Sequence, residues 1–207
     1  MRTTVLDHPL AARTLTRLRD EQSDRAAFRR ALDGLSEMLL YEATRRLGVV
    51  AVAVRSPMGP TTGVGLAEPP LVVPILRAGL GMIGAVLRLL PEAPIGFIGV
   101  ARNESTFVPE PYMNSVPREL GGRAVLVLDP MLATGGSLEH SCRILVERGA
   151  GRLTAVCALA APEGLARIEA SGLVDEVVSA SIDSHLDERA YIVPGLGDAG
   201  DRLFGTA

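Results

Sequence analysis

The chain has 207 residues and a formal net charge of −3. This length suits one well-buried core and is short for two, so we expect a single domain over residues 1–207. Lysine is absent and arginine is spread along the chain, which argues against the basic stripe of nucleic-acid-binding proteins. No charge-free apolar run reaches about 20 residues and the start lacks a signal-peptide core, so we expect no membrane partner and a cytoplasmic location.

The first 70 residues divide into a helical part and a part rich in glycine and proline. Between residues 11 and 47 apolar side chains recur every three or four positions, which predicts two N-terminal helices. Their shared stripe comprises Phe28, Leu32, Leu35, Leu39 and Ala43. Residues 56–70, SPMGPTTGVGLAEPP, predict a loop or an irregular hairpin within the same domain.

From residue 71 onwards, apolar runs of strand length alternate with amphipathic stretches. Hydrophobic residues make up 47% of the chain and aromatic residues only 3%, so the core must consist mainly of Val, Leu, Ile and Ala. The pattern predicts an α/β fold with a mostly parallel central sheet flanked by helices, in which ligands bind beyond the carboxyl ends of the strands. Cys142 and Cys157 lie in apolar stretches and are expected to pack in the core.

Two arginines end predicted strands. Arg77 follows LVVPIL and Arg102 follows IGFIGVA, so both side chains should face one crevice, where a guanidinium suits phosphate oxygens. A solvated or salt-bridged surface arginine is the alternative. Residues 79–84, GLGMIG, follow the first of these strands and match a dinucleotide-binding turn, with Glu104 about 20 residues further on. An NAD-dependent oxidoreductase is therefore a rival hypothesis.

The strongest chemical signal is residues 125–137, VLVLDPMLATGGS. A buried run ends at Asp129, and a helix follows whose predicted apolar face is Leu138, Cys142, Leu145 and Val146. The backbone N–H groups of residues 133–137 would be free at the start of this helix, and two glycines and two hydroxyls would complete a site for a phosphate monoester. A plain helix start, with Thr134 or Ser137 as its N-cap, is the alternative. Residues 129–137 are called the phosphate loop below.

Asp129 ends its strand where a carboxylate can accept hydrogen bonds from the vicinal hydroxyls of a ribose 5-phosphate. The apolar run, the acidic residue and ATGGS resemble the phosphoribosyl pyrophosphate (PRPP) motif of phosphoribosyltransferases. The specific sequence DPMLATGGS is similar to that of uracil phosphoribosyltransferases. Most of the larger family has two adjacent acidic residues here, whereas this chain has Pro130 in the second place, as the uracil enzymes do.

Further segments resemble the same family in the same order. They are YEAT (41–44), VVPILRAGLGM (72–82), RNE (102–104), AAPEG (160–164), ASID (180–183) and YIVPGLGDAGDRLFGT (191–206). Residues 56–70 show no such match. The resemblance implies the type I phosphoribosyltransferase fold and a role in pyrimidine salvage, the transfer of phosphoribose from PRPP to N1 of uracil to give UMP and pyrophosphate.

The resemblance also implies roles for individual residues. Arg77, Arg102, Asp129 and Asp198 would be catalytic, with the arginines on the pyrophosphate and Asp129 on the ribose. The same four residues would bind PRPP together with the rest of the phosphate loop: Pro130, Met131, Leu132, Ala133, Thr134, Gly135, Gly136 and Ser137. Mg²⁺ would be held mainly by PRPP rather than by a protein metal site. A homo-oligomer, dimer or tetramer, and a GTP effector are further implications.

Residues 191–201, YIVPGLGDAGD, are called the acceptor segment below, and they offer exposed backbone more than side chains. Peptide groups can pair with O4 and N3–H of uracil, whereas cytosine reverses both roles and would leave buried groups unpaired. By resemblance, uracil would contact Ile192, Gly197, Asp198 and Ala199, and Asp198 would also serve PRPP. A glycine-rich tail without a site is the alternative. GLGDAG has the dinucleotide spacing, but only seven residues follow it, too few for a βαβ unit.

The remaining features give weaker signals. Residues 103–122, which are rich in proline and contain Tyr112, are a candidate lid over the site. His8, His140 and His185 are isolated in sequence, so a histidine general base is not expected. Two relatives of similar fold stay as alternatives: an RNA-binding regulator of pyrimidine genes, which would need a basic face, and an enzyme for a different base.

Overall fold

A computed structural model of the chain describes residues 1–102 and 109–205. Its strands are β1 (Arg2–Val5), β2 (Val49–Ser56), β3 (Gly59–Leu66), β4 (Leu71–Leu76), β5 (Ile98–Arg102), β6 (Pro109–Asn114), β7 (Val125–Leu128), β8 (Met131–Leu132), β9 (Leu153–Ala160), β10 (Glu176–Ile182), β11 (His185–Leu186) and β12 (Ile192–Val193). Its helices are α1 (Pro9–Arg19), α2 (Arg25–Ala43), α3 (Ile83–Leu89), α4 (Gly136–Glu147), α5 (Pro162–Ser171) and α6 (Ala199–Phe204), with a 3₁₀ helix at Ala78–Met82.

The main sheet has the strand order β1-β10-β9-β7-β4-β5-β6, with β8 paired to β9. Every pair in it is parallel except β5 with β6. All eight residues of β9 are buried, as expected where helices cover both faces of a parallel sheet. The predicted α/β architecture is therefore confirmed.

Two apolar layers cover the two faces of the sheet. Successive side chains along a strand pack alternately into one layer and the other. One layer joins α1, α2, α3 and α6 to strand residues such as Val72 and Val156. The other joins α4 and α5 to the neighbouring residues Val73 and Cys157. Consecutive apolar residues along a strand are needed because successive side chains point to opposite faces.

The N-terminal helices form as predicted, and the stripe from Phe28 to Ala43 is buried. Asp24 caps α2 by accepting a hydrogen bond from the Ala27 N–H at 2.7 Å. The strand β1 was not predicted from the sequence. It is a four-residue edge strand that is mostly exposed, and its partner β10 lies more than 170 positions away along the chain, so no local pattern marks it.

Residues 56–70 differ from their prediction, because most of them form the regular strand β3. It pairs with β2 in an unbroken antiparallel register from Val49 opposite Leu66 to Ser56 opposite Gly59. Glycine in β3 leaves room for the valines of β2: a Cβ on Gly65 would lie 3.1 Å from the Val52 side chain. The hairpin keeps several apolar side chains exposed: Val49, Val50, Val52, Val54, Met58 and Val64.

The core predictions for α4 hold with one exception. Leu138, Cys142 and Leu145 are buried, as is Cys157 in β9. Val146 is 41% exposed, because eight residues beyond Leu138 a helix has turned about 80° away from the first position. Among the described residues, no helix is both long and apolar enough to cross a membrane.

Candidate active site

The carboxyl ends of the parallel strands meet at one edge of the main sheet. The phosphate loop follows β7 there, the 3₁₀ helix follows β4, and α5 follows β9. The acceptor segment is reached from the end of β10 through the small β11–β12 pair. Parallel topology thus collects residues from distant parts of the sequence at the position where ligands bind in such sheets.

The first half of the phosphate loop is fixed to β9 through its backbone. The N–H of Asp129 donates to the Val156 carbonyl at 3.2 Å, and the Pro130 carbonyl accepts from the N–H groups of Ala158 and Leu159 at 2.9 and 3.0 Å. The Met131 N–H donates to Oδ1 of Asp129 at 3.3 Å. Asp129 is therefore held at the end of β7 with its carboxylate turned towards its own loop.

The second half of the loop leaves N–H groups open at the start of α4. Gly135 is the N-cap in the left-handed region, with φ of +79°, and no side chain caps the helix through it. Ala133 departs from the prediction, because its N–H donates to the Met131 carbonyl at 3.0 Å. The Gly136 N–H has a long contact of 3.5 Å to the Thr134 hydroxyl. The backbone N–H groups of Thr134, Gly135 and Ser137 donate to no atom in the described part of the chain.

The start of α5 supports the phosphate loop from behind by close backbone packing. The Ala161 N–H donates to the Leu132 carbonyl at 2.8 Å. A Cβ on Gly164 would lie 2.3 Å from the Ala133 carbonyl oxygen, and one on Gly135 would lie 3.1 Å from the Gly164 carbonyl oxygen. Only glycine permits this approach, so the shape of the loop depends on steric contact between two backbones.

Charge beside the phosphate loop is balanced within the protein. Glu139 in α4 accepts hydrogen bonds from Arg167 of α5 at 2.6 Å and from Arg143 at 2.8 Å. The Arg167 hydrogen bond is the largest of the effects that hold the pKa of Glu139 below its ordinary value. Because Arg167 is already paired, an anion in the loop would be met by N–H and hydroxyl groups.

The two predicted arginines differ in what the structure describes. Arg77 directly follows β4, and its Nη2 lies 4.0 Å from Oδ1 of Asp201 in α6. This contact brings Arg77 to the acceptor segment, and Asp201 is a residue that sequence reasoning did not assign. Arg102 is the last residue of β5, beside β4 in the sheet, and the course of its side chain lies outside the described structure.

The 3₁₀ helix at Ala78–Met82 lies between the two loops and explains two glycines of GLGMIG. A Cβ on Gly79 would come within 2.6 Å of the Leu128 carbonyl oxygen, at the end of β7. A Cβ on Gly81 would come within 2.7 Å of Cδ1 of Leu203 in α6. These glycines serve close packing, so the dinucleotide interpretation is not needed to account for them.

The acceptor segment is held at Gly195 by two charged side chains. Its N–H donates to Oδ2 of Asp183 at 2.9 Å, and its carbonyl accepts from Nη1 of Arg19 at 2.8 Å. Gly195 has a φ of +60°, and a Cβ there would lie 2.0 Å from the Ile192 carbonyl oxygen. The turn after β12 is therefore tight, and both polar groups of the Gly195 backbone are occupied.

Asp183, which is buried, forms an ion pair with the partly exposed Arg19. Oδ1 and Oδ2 of Asp183 accept from Nη2 and Nη1 of Arg19 at 2.5 and 2.7 Å, and Oδ1 also accepts from the Ser181 hydroxyl at 2.9 Å. Burial acts to raise the pKa of Asp183, but the hydrogen bonds from Arg19, Gly195 and Ser181 outweigh it and lower the pKa. ASID is noted above as a resembling segment, but only the folded chain shows its partner in α1.

Arg202 holds the acceptor segment from the other side. Its guanidinium donates to the carbonyls of Leu196 at 2.9 Å and Asp20 at 2.7 Å, and also to that of Leu18. It lies over the ring of Phe28, 4.3 Å from the centroid. The segment is thus tied to the end of α1 and the turn that follows it.

The predicted uracil contacts fall into buried and exposed positions. Ile192 and Ala199 are 4% and 3% exposed. Gly197 is exposed with a φ of +77°, and within the described residues its N–H and C=O make no hydrogen bond. Oδ1 of Asp198 accepts from the Asp201 N–H at 2.8 Å and so caps α6, a role that the sequence interpretation did not include.

The histidines lie apart from one another. His8 caps α1 by accepting from the Leu10 N–H at 3.1 Å, and His185 Nδ1 lies 2.8 Å from the Ser184 hydroxyl. Nε2 of His140 is buried without a partner in the described structure. In residues 1–102 and 109–205, no three His, Cys, Asp or Glu side chains form a group that could hold a metal ion.

The lid prediction for residues 103–122 is only partly open to examination. Residues 109–114 form β6, the antiparallel edge strand of the main sheet, so this part is a sheet element and not a free lid. Residues 103–108 lie outside the described residues, and for them the lid stays a prediction.

The chain is similar to known proteins along its whole length. The sequence profile of the family described as Uracil phosphoribosyltransferase matches residues 5–206. A uracil phosphoribosyltransferase from Streptomyces griseus is 55% identical over 210 aligned positions, which cover 100% of both chains. Another from a Nocardioides species is 54% identical and covers 99% of both chains.

Solved structures agree with these relatives on the fold. A protein from Aquifex aeolicus superposes with a TM-score of 0.93 at 38% identity, covering 99% of each chain. An adenine phosphoribosyltransferase from Leishmania donovani has a TM-score of 0.59 at 14% identity over 87% of this chain and 83% of its own, which shows shared fold alone. The profile and the full-length relatives together show that this chain belongs to the uracil phosphoribosyltransferase family.

Proposed function

We propose that this chain transfers the 5-phosphoribosyl group of PRPP to N1 of uracil, giving UMP and pyrophosphate in pyrimidine salvage. The observation that carries the proposal is the pairing of two loops at one sheet edge. One presents N–H groups at a helix start that donate to no atom among the described residues, as a phosphate requires. The other presents, at Gly197, a peptide that makes no hydrogen bond within the described residues, as the edge of a pyrimidine requires, and Arg77 contacts this second loop through Asp201.

In this reaction the N1–C1 bond forms while the bond from C1 to the pyrophosphate oxygen breaks, and the N1 proton passes to water. The open N–H groups of the phosphate loop hold the 5-phosphate, and Asp129 accepts hydrogen bonds from the ribose hydroxyls. Arg77 and Arg102 neutralise the negative charge that develops on the departing pyrophosphate. Catalysis is then mainly positioning and electrostatic stabilisation, with no protein nucleophile.

Uracil recognition is assigned to the acceptor segment. The N–H and C=O of Gly197, which bond to nothing in the described part of the chain, are the donor and acceptor that O4 and N3–H need. The buried side chains of Ile192 and Ala199 provide an apolar surface beneath the uracil ring. Asp198 lies between uracil and PRPP. Cytosine would place a donor against a donor and an acceptor against an acceptor, which costs about 1–3 kcal/mol for each buried group left unpaired.

Mg²⁺ fits the residues that are present. This ion keeps several waters and binds through one or two carboxylates and substrate phosphates rather than through a protein cage. Asp129, at the end of β7, is the one carboxylate within the phosphate loop itself. When bound, Mg²⁺ would supply positive charge to the pyrophosphate oxygens, and the protein would need to contribute little more than this carboxylate.

The remaining partners are also part of the proposal. A dimer or tetramer is supported by the β2–β3 hairpin, whose exposed valines and Met58, itself 95% exposed, form apolar surface that association would cover. A GTP effector and a cytoplasmic location follow from the family resemblance and the composition described above. Sedimentation with and without GTP, compared with activity under the same conditions, tests the first two.

The test of the function is an assay of base specificity. The folded protein is incubated with PRPP and Mg²⁺ and, in parallel, with radiolabelled uracil, cytosine or hypoxanthine. UMP should form from uracil, with at least about 100-fold less product from cytosine, since two unpaired groups are involved. Absence of UMP would overturn the proposal, and product from hypoxanthine would favour an enzyme for a different base.

A further inference from the structure

We propose that Arg19 and Asp183 are positioning residues for uracil, which they serve by fixing the acceptor segment at Gly195. The inference rests on the proposed function and goes beyond it. Neither side chain belongs to the set of residues assigned to PRPP or uracil. Arg19 ends α1, and Asp183 directly follows β10, so the pair ties an N-terminal helix and the sheet to a segment near the other end of the chain.

Both polar groups of the Gly195 backbone are hydrogen-bonded to the ion pair. Asp183 accepts a hydrogen bond from the Gly195 N–H, and Arg19 donates one to the Gly195 carbonyl. The two side chains also pair with each other at 2.5 and 2.7 Å. One ion pair therefore fixes both the position and the orientation of this residue. Asp183 has 2% of its side chain exposed and Arg19 has 26%, so water has little access to the carboxylate.

The supported residues of the segment lie directly before the residue proposed to bind uracil. The Leu196 carbonyl is held by Arg202, so two consecutive residues are held by charged side chains. Gly197 follows directly, and its N–H and C=O, which have no partner in residues 1–102 and 109–205, are those proposed for uracil. A rigid support next to an unsatisfied peptide is the arrangement that presents hydrogen-bonding groups to a ligand at low entropic cost.

The chemistry of the pair predicts which variants fail. Asp183→Asn would turn an NH₂ group towards donors, because both carboxylate oxygens now accept, from Arg19, Ser181 and Gly195. Arg19→Gln would remove the positive charge and leave Asp183 buried without its counter-ion. Arg19→Lys would keep the charge but lose the planar fork that reaches two acceptors at once.

The experiment measures KM for uracil and for PRPP separately in the full-length enzyme. Asp183→Asn and Arg19→Gln should raise the uracil KM about tenfold or more, as loss of a charged hydrogen bond implies. The PRPP KM should stay within about twofold, because the phosphate loop is unchanged. Asp198, the PRPP residue within the acceptor segment, is held separately by its hydrogen bond from the Asp201 N–H. Arg19→Lys should lie between wild type and Arg19→Gln. Arg123→Gln, which breaks an exposed pair with Glu68 at the opposite sheet edge, is the matched control and should change neither constant.

The outcomes separate positioning from mere stability. Thermal unfolding and circular dichroism report the folded fraction of each variant. A fall in kcat in proportion to that fraction, with the uracil KM unchanged or with both KM values raised equally, would overturn the proposal. If Asp183→Asn does not fold, the Arg19→Lys and Arg19→Gln pair carries the test. Failure of the wild-type enzyme to form UMP would instead refute the proposed function itself.

Discussion

The phosphate loop and the acceptor segment lie at the same sheet edge but are held by different forces. The phosphate loop is a direct continuation of β7, and backbone contacts with β9 and α5 fix it. The acceptor segment lies outside the main sheet, and three charged side chains hold it: Arg19, Asp183 and Arg202. One loop thus depends on the fit of backbone atoms, and the other on ion pairs and charged hydrogen bonds.

This difference predicts different weaknesses. Steric fit does not depend on pH or salt, but a single added methyl group can destroy it. A clamp of charged side chains tolerates small changes in shape, but it fails when a charge is removed or titrated. We therefore expect the phosphate loop to be most sensitive to added atoms, and the acceptor segment to the loss of a charge.

Replacement of Gly164 by alanine should damage the phosphate loop most. The new Cβ would lie 2.3 Å from the Ala133 carbonyl oxygen and 3.0 Å from that of Leu132, so either α5 or the loop must move. We expect a loss of about 3 kcal/mol in the free energy of unfolding, at the upper end of typical overpacking, and a higher PRPP KM. Denaturant unfolding and initial-rate measurements check both.

Gly34→Ala is the matched control for this substitution. Gly34 lies within α2, and a Cβ there would meet nothing within 4 Å. Alanine is the better helix residue, so this variant should be up to about 1 kcal/mol more stable than wild type with unchanged kinetics. If Gly164→Ala behaved like Gly34→Ala, the phosphate loop would not depend on close packing.

The two loops also differ in how far the sequence predicted them. The phosphate loop is local: Asp129, the glycines and the helix start occur together, so their order alone predicts an anion site. The main error in predicting this loop was also local, because the Ala133 N–H donates to the Met131 carbonyl within the loop. Gly164 is part of the quoted AAPEG segment, but its contact with Ala133 depends on how α5 packs.

The acceptor segment could be located but not explained from the sequence. Its three glycines predicted exposed peptide groups. Gly197 is exposed and makes no hydrogen bond within the described residues, whereas Gly195 and Gly200 are buried. Which peptides are already occupied depends on Arg19 and Asp183, more than 160 positions apart along the chain. No period or motif links two single residues at that distance. The same reason hid β1, whose pairing partner is equally remote, and the contact of Arg77 with Asp201.

Arg202→Gln should produce the next largest effect, now on the acceptor segment. The guanidinium donates to three backbone carbonyls and lies over Phe28, and glutamine cannot reach all of them. We expect a loss of about 2 kcal/mol in the free energy of unfolding, the scale of one or two charged hydrogen bonds. Arg88→Gln, in an exposed pair with Glu37 and Asp33, should cost less than about 1 kcal/mol. Equal losses would contradict a special role for Arg202.

Acid should weaken the acceptor segment through Asp183. Its pKa in the folded chain lies below its ordinary value, whereas in the unfolded chain it is about 3.9. The stabilisation is therefore fully present above about pH 4 and is lost as the pH falls from there through the folded pKa. Unfolding of wild type and Asp183→Asn between pH 7 and pH 3 should show a stability difference that narrows only below about pH 4.

Glu42→Gln is the control for the acid experiment. The pKa of Glu42 is also lowered, chiefly by a hydrogen bond from Arg45, but that arginine is 60% exposed, so the pair should contribute little. Its stability difference should stay small at every pH. A difference for Asp183→Asn that did not change with pH would mean that the charge of Asp183 is not what holds Gly195.

The smallest effect is expected at the two cysteines, which lie in the apolar layer beneath the phosphate loop. Burial raises the pKa of Cys142 to about 12 and that of Cys157 well above its ordinary value, so neither forms the reactive thiolate in the native chain. A disulfide reagent that reacts with thiols, added at pH 8, should label neither cysteine in native wild type and both cysteines in denaturant. In Gly164→Ala, local opening of this layer should speed labelling, whereas Arg202→Gln, which acts on the opposite layer, should not. Faster labelling in both variants would show that the two loops share one opening motion, and the contrast between steric and charged support would then not extend to their dynamics.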